Sequence, residues 1–218
     1  MSSCWLKFVI ALAVAAGSSA WSDAASHSKV RILDFEDAAM ETWAAFVPPE
    51  SADAGCSAVR DETAAHAGSA SAKLYSSDFA RFGVRFKGIT ISVKPGERYR
   101  LSAWVRLDPT FDAAEGTPGV LARLTLFDRS GSDFSGGHRY ISLKGEVADS
   151  PDELRWERAA GDAQDIDNAP DAADDEWLSL EAEAAIPDGV STVAPFVFVW
   201  KGRGTLWVDD IRFERVEP

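Results

Sequence analysis

The nine residues 205–213, Thr-Leu-Trp-Val-Asp-Asp-Ile-Arg-Phe, decide how the rest of the chain is interpreted. Most of them favour a β-strand, but two adjacent aspartates, Asp209 and Asp210, interrupt the run. Carboxylates are depleted in strands and are costly to bury without a partner. A hard cation such as calcium takes oxygen ligands and would offset that cost. The stretch therefore predicts a closing strand with a metal site that joins it to the first strand.

The N-terminus has the pattern of a secretion signal. Lys7 precedes an apolar run at residues 8–16, and small residues at 18–20 precede a plausible cleavage site after Ala20. The apolar run is too short to span a bilayer, although a retained membrane anchor is the alternative. The pattern predicts a signal peptide over residues 1–20 and a secreted or periplasmic protein.

Charge and cysteine content narrow the function classes. The chain carries 35 acidic and 22 basic residues, for a net charge of -13. This balance argues against nucleic acid and against anionic membrane surfaces as partners, because both select basic patches. After signal cleavage Cys56 is the single cysteine, so an internal disulfide is excluded.

Short alternating runs separated by turn residues continue from residue 30 to the C-terminus. They predict about nine or ten strands, with a turn at the glycine pair 136–137 and a hairpin turn at residues 201–204. Residues 145–176 are acidic and poor in apolar side chains, and they predict a long loop or insertion. The pattern is typical of an all-β protein, and it predicts a single β-sandwich jelly-roll domain over residues 21–218.

The clearest strand, residues 99–107, has an unusual polar face. Its odd-numbered residues are apolar and predict the core face, whereas Arg100, Trp104 and Arg106 lie on the other face. An indole flanked by guanidinium groups suits a sugar ring, which stacks on the aromatic face and accepts hydrogen bonds through its hydroxyls. Alternation in residues 120–127 places Arg123 where it could line the same surface. The alternative is that a loop covers Trp104 in a satellite cluster.

Two further patterns leave the chemistry open. In residues 193–200 the aromatic side chains Phe196, Phe198 and Trp200 share one face, for which core packing is the better interpretation of the two phenylalanines. The run His138-Arg139-Tyr140 could abstract a proton in a polysaccharide lyase, although a surface loop is the simpler interpretation.

Four pieces of sequence resemble the galactose-binding-like jelly rolls of carbohydrate-binding module families 4, 9 and 22, and they occur in the same order. They are residues 34–37 with Trp43, residues 66–74, residues 93–105, and residues 207–211. The resemblance covers the chain from about Leu33 to Phe213 and implies the same fold.

The resemblance also implies a site for each of two ligands. A structural calcium ion would be held by the Glu36 carboxylate, a backbone carbonyl near Ser69, and Asp209. His66 stands where the family often has another acidic ligand. Sugar would stack on the strand tryptophan that matches Trp104.

These observations predict a secreted, non-catalytic domain that binds a glycan through Trp104, Arg106, Arg123 and Arg100. An acidic sugar would suit the arginines slightly better than a neutral one. One alternative is a structural or protein-interaction domain of the cell envelope, and another is a small polysaccharide lyase or hydrolase.

Overall fold

The computed structural model describes residues 30–38, 42–88, 90–115, 117, 119–142 and 176–216. The predicted signal peptide and residues 145–175 of the predicted acidic loop lie outside these residues. The described residues form one 3-10 helix, Pro49–Ala54, and eleven strands: β1 (Val30–Leu33), β2 (Trp43–Phe46), β3 (Ser57–Asp61), β4 (Ser71–Phe86), β5 (Ile91–Ser92), β6 (Arg98–Leu107), β7 (Asp112–Ala113), β8 (Gly119–Phe127), β9 (Asp133–Ser142), β10 (Leu178–Ala185) and β11 (Thr192–Val216). Within this part of the chain, no helix has the length and apolar character needed to cross a membrane.

The strands form two layers that share β4 and β11. In the first sheet the order is β10, β6, the second half of β11, the first half of β4, and β3, with β1 also paired to β11. In the second sheet the order is β9, β8, the first half of β11, the second half of β4, and β2. All of these pairs are antiparallel. The all-β sandwich predicted from the sequence is confirmed.

The shared strands are longer than the sequence predicts. Residues 201–204 were predicted to form a hairpin turn, but β11 runs through them without reversing and only bends. The bend coincides with register shifts against β4 between Trp200 and Gly204 and with positive φ angles of 55° at Lys201 and 93° at Gly204. Such irregularities let a strand leave one sheet and enter the other. The turn residues were recognised, but the prediction that they reverse the chain is wrong.

A similar difference occurs in β9, where the glycine pair 136–137 lies inside a strand and not in a turn. The predicted face alternation of β6 is confirmed, since Tyr99, Leu101, Ala103 and Val105 are buried. Trp43 is 1 % exposed and packs edge-to-face on Phe35 with ring centroids 5.2 Å apart.

The core lies between the two sheets. A single cluster of buried side chains contains Leu101 and Val105 from β6 together with Val120 and Leu124 from β8. Since the inner faces pack against each other, the outer faces of the two sheets point in opposite directions. A binding surface on an outer face therefore belongs to one sheet or the other.

Candidate functional site

The outer face of the first sheet, here called the tryptophan face, carries the predicted Trp104. Its ring is half-buried and is stacked on His66, with centroids 4.0 Å apart and an interplanar angle of 12°. Trp177 meets the same histidine edge-on at 5.9 Å. A loop does cover Trp104, as the alternative interpretation proposed, and it is the loop at residues 64–70.

A row of alternating rings and cations crosses the tryptophan face. The guanidinium carbon of Arg106 lies 4.2 Å from the ring centroid of Trp207 and 5.9 Å from that of Trp177. On the other side of Trp207, the Lys73 ammonium lies 5.5 Å from the ring. Trp207 is buried, and its indole N–H donates to Asp61 at 2.9 Å. The rings and cations of this row are thus largely engaged with one another.

Arg100 lies on the same face but is surrounded by acids. Its guanidinium contacts Glu183, Glu181 at 3.1 Å and Glu214 at 3.5 Å. The hydrogen bond to Glu183 raises the pKa of Arg100 further above its ordinary value. Three carboxylates leave this guanidinium little capacity for a sugar hydroxyl or a uronate.

The paired aspartates lie in a bulge of β11. Asp209 is opposite Trp104 and Arg212 is opposite Ser102, so the two residues between them are not paired with β6. Asp210 has a φ of 48°, a left-handed conformation that aspartate tolerates better than most residues. The bulge explains how two carboxylates fit within a strand.

The carboxylate of Asp209 is fully buried and accepts three backbone N–H groups. They belong to His66 at 2.8 Å, Ala67 at 3.2 Å and Asp210 at 2.7 Å. Burial raises the pKa of Asp209 to about 6, although these hydrogen bonds act in the opposite direction. Asp210 completes the link, since its Oδ2 lies 3.0 Å from Nδ1 of His66. The aspartates therefore fix the loop that stacks on Trp104.

Glu36 holds the other end of the same loop. It accepts the Ser69 N–H at 2.8 Å, the Ser69 hydroxyl at 2.6 Å and the Ala70 N–H at 3.0 Å. The hydroxyl bond, followed by the Ser69 N–H bond, contributes most to lowering the pKa of Glu36. Gly68 is required here, because an added Cβ would lie 2.3 Å from Oε1 of Glu36 at a φ of 69°.

The three residues predicted to hold calcium thus meet at one loop. There the Glu36 and Asp209 carboxylates accept hydrogen bonds, and Ser69 is one of the donors. No group of three or more His, Cys, Asp or Glu suited to a metal is found within the described ranges. Each carboxylate already accepts three hydrogen bonds, so a cation at the Glu36 and Asp209 oxygens would compete with these donors, and the arrangement is a poor fit for calcium. The link between the first and last strands, which the sequence assigned to an ion, is made here by hydrogen bonds through the loop.

Calcium binding stays a prediction from the sequence, and a thermal melt tests it. An ion that binds the folded state raises its stability, by about 2.7 kcal/mol at one hundred times the dissociation constant. If the prediction holds, added calcium raises the melting temperature and a chelator reverses the rise. Identical melts with the ion and with the chelator would contradict it.

The outer face of the second sheet, here called the arginine face, is built from three adjacent rows. In the first row Phe196 of β11 lies between Arg123 of β8 and Arg85 of β4. In the second row Phe198 is opposite Gly83, which is in turn opposite Phe46 of β2. In the third row Trp200 is opposite Arg81.

The rings of the arginine face form a continuous floor. Phe46 meets Phe196 and Phe198 edge-on at centroid distances of 5.4 and 6.3 Å. The guanidinium carbon of Arg123 lies 4.8 Å from the Phe196 centroid, 5.5 Å from that of Phe198 and 6.0 Å from that of Phe46.

At the next row of the arginine face, the guanidinium of Arg81 lies 3.6 Å from the centroid of the half-buried Trp200 ring. This ring meets Phe198 at 6.1 Å, so it extends the floor of phenylalanine rings. Arg81 also pairs with Glu50 at 3.4 Å.

The expectation that Arg123 lines the same surface as Arg106 is wrong, because the two arginines lie on opposite outer faces. Alternation within each strand was identified correctly, but it does not say which strands share a sheet. The sequence interpretation also missed Phe46, Arg81 and Arg85. The available signal for the two arginines was the alternation of residues 81–86, which put Arg81 and Arg85 on the face away from the core. The predicted trio at residues 138–140 lies in β9, and its side chains are outside the described part of the structure.

No family model matches the chain, and no curated protein matches it in sequence. Among solved structures, it is similar to a CBM22 xylan-binding domain from Paenibacillus barcinonensis, with 16% identity, a TM-score of 0.50, and 86% of this chain and 94% of that chain covered. A family 22 carbohydrate-binding module from Clostridium thermocellum gives 14% identity, a TM-score of 0.46, and coverage of 85% and 92%. The enzymatically active domain of the bacteriophage CBA120 tailspike protein 4 has 12% identity and a TM-score of 0.48, and the match covers 84% of this chain and 20% of that chain. The first match confirms that the fold resembles that of family 22 modules.

Proposed function

We propose that this protein is a non-catalytic carbohydrate-binding domain and that the glycan lies on the arginine face. The observation that carries the proposal is the Arg123 guanidinium, which stands over the rings of Phe46, Phe196 and Phe198. Sugar rings present C–H groups that pack on aromatic faces and hydroxyls that accept hydrogen bonds from planar donors. Phe196 and Phe198 are buried beneath Arg123, so the half-buried rings of Phe46 and Trp200 provide the apolar contact and the guanidinium groups beside them provide the donors.

The arginine face is a better candidate than the tryptophan face because its Arg85 is exposed and neither Arg85 nor Arg123 pairs with a carboxylate within the described residues. On the tryptophan face, His66 occupies one side of Trp104 and three carboxylates surround Arg100. On the arginine face, Arg81 likewise covers one side of Trp200, but Phe46 and Trp200 are only half-buried. The Trp104 site predicted from the sequence remains the alternative location.

Secretion is part of the proposal and rests on the signal-like residues 1–20. The xylan-binding domain that shares the fold supports a glycan as the type of partner. Because one scaffold can present different ligand sites on its faces, the similarity does not select xylan as the ligand.

A matched pair of tryptophan variants tests both the function and the face. A glycan array identifies the ligand, and calorimetric titration then compares wild type with Trp200→Ala and Trp104→Ala. We expect about tenfold weaker binding for Trp200→Ala, since one stacked ring contributes roughly 1.5 kcal/mol. We expect binding close to that of wild type for Trp104→Ala. Circular dichroism and melting curves show that both variants remain folded.

The other outcomes are equally decisive. Loss of binding in Trp104→Ala but not in Trp200→Ala would move the site to the tryptophan face. Absence of binding to every glycan on the array would overturn the proposal and favour a role in protein contacts at the cell envelope.

A further inference from the structure

We propose that the ligand of the arginine face is an anionic glycan, whose carboxylate or sulfate groups pair with Arg123 and Arg85. This inference rests on the proposed function and adds the charge of the sugar. It follows from the positions of the two arginines, from their partners, and from the surface beneath them.

Arg123 and Arg85 flank one ring. Both are cross-strand neighbours of Phe196, Arg123 from β8 on one side and Arg85 from β4 on the other. Two strand spacings separate their backbones, about 10 Å. An anionic group held above this row would therefore lie between two guanidinium groups.

These two arginines differ from most of the described arginines in having no acidic partner. Arg203 pairs with Asp112 at 2.9 Å, Arg215 pairs with Glu97 at 2.9 Å, and Arg100 contacts three glutamates. The hydrogen bond of Arg123 goes instead to the Thr125 hydroxyl at 3.2 Å, and neither Arg123 nor Arg85 has a carboxylate partner within the described residues. Arginines without a carboxylate partner are unexpected in a chain with 35 acidic and 22 basic residues. The two positive charges remain available to a ligand.

The aromatic floor strengthens the pairing that is available. Arg123 is partly removed from water by the three rings below it, and a desolvated guanidinium attracts an anion more strongly than an exposed one. Its planar fork matches the two oxygens of a carboxylate or a sulfate. A neutral sugar would use the rings but would leave both charges without a counter-charge.

The overall charge of the protein makes the test specific. At a net charge of -13, the chain as a whole repels anionic polymers, so their non-specific adsorption is disfavoured. Binding measured at 0.15 M salt, where the screening length is about 8 Å, reports mainly short-range contacts. An anionic ligand that binds under these conditions is held by a local site.

The experiment compares charged and uncharged forms of the same polymers. Polygalacturonate is paired with its methyl ester, and dextran sulfate is paired with dextran; an array of acidic and neutral oligosaccharides completes the set. We expect the charged form of a pair to bind best. The first pair reports recognition of a carboxylate and the second reports recognition of a sulfate.

Arginine variants then assign the charge recognition to this face. Arg123→Gln and Arg85→Gln are each expected to weaken binding of the anionic ligand about 10- to 100-fold, as for a lost hydrogen bond to a charged group. Arg123→Lys keeps the charge but loses the planar fork, so we expect an intermediate affinity. Arg215→Gln, which removes an equal charge at the end of β11, is the matched control and should bind as wild type does.

Failure of this inference is distinguishable from failure of the proposed function. Suppose that neutral glycans bind best, that the two glutamine variants bind them normally, and that Trp200→Ala does not. The inference of an anionic ligand is then wrong, whereas the proposed glycan binding is supported. If no charged or neutral glycan binds, both are overturned.

Discussion

Asp209→Ala is expected to lower the free energy of unfolding by about 2 to 4 kcal/mol. The carboxylate is fully buried and accepts the N–H groups of His66, Ala67 and Asp210. Alanine would leave these donors without an acceptor, and each unsatisfied buried group costs roughly 1 to 3 kcal/mol. Denaturant unfolding at neutral pH, followed by intrinsic fluorescence, measures the change.

Asp209→Asn is the matched control for this substitution. The amide keeps the size of the side chain and one acceptor oxygen, but it turns an N–H₂ group toward a backbone donor. The free energy of unfolding of Asp209→Asn should fall between that of wild type and that of Asp209→Ala. Because the loop positions His66 on Trp104, tryptophan fluorescence of the folded state should also change in Asp209→Ala. A loss below about 1 kcal/mol would show that the loop does not depend on this carboxylate.

The sequence predicted that the paired aspartates need a partner and assigned that role to a cation, but it did not indicate the backbone amides that Asp209 contacts in the structure. The strand character of residues 205–213 and the cost of a buried carboxylate are local properties, so they could be inferred directly. The partner loop is distant, since His66 and Asp209 are 143 positions apart. Neither the bulge nor the backbone amides of residues 66–70 leave a periodic signal. A cation and a set of N–H donors satisfy the same electrostatic requirement, so the sequence alone does not distinguish them.

The positions of the candidate site residues on the two outer faces could also be predicted only in part from the sequence. Alternation predicted correctly that Trp104, Arg106 and Arg123 leave the core. It could not predict that Arg106 and Arg123 belong to different sheets, because strand pairing depends on contacts between distant segments. The residues that join Arg123 come from β2, β4 and β11. The shared face of Phe196, Phe198 and Trp200 was recognised within its own segment, but not the strands that flank it. The arginine face exists only after these strands are paired.

The bend in β11 explains why the sequence predicted a turn at residues 201–204. Gly202 and Gly204, like the polar residues near Ser76, have the composition of a turn. In a sandwich the same composition also serves a strand that passes from one sheet to the other, since both need a local break in the ladder. Composition alone does not distinguish a reversal of the chain from a bend.

Gly83→Ala is expected to destabilise the fold by about 3 kcal/mol or more, as overpacking of a rigid site does. Gly83 lies opposite Phe198 in the middle of the arginine face, and its φ angle is ordinary. An added Cβ would lie 2.3 Å from the carbonyl oxygen of Val197 and 2.5 Å from Cβ of Phe198. These atoms belong to the backbone of β11 or are attached directly to it, so they can yield only if the strands separate.

Gly88→Ala separates this clash from the general cost of replacing glycine. Gly88 has a φ of 64° and nothing within 4 Å of an added Cβ, so its cost is the backbone strain alone. That strain is about 1 to 2 kcal/mol, which should leave Gly88→Ala the more stable variant in denaturant unfolding. Equal stability of the two variants would mean that β4 and β11 are less tightly packed at Gly83 than the structure shows. Separation of these strands would also move Phe198 relative to Phe46, and Gly83→Ala should therefore weaken glycan binding even where it remains folded.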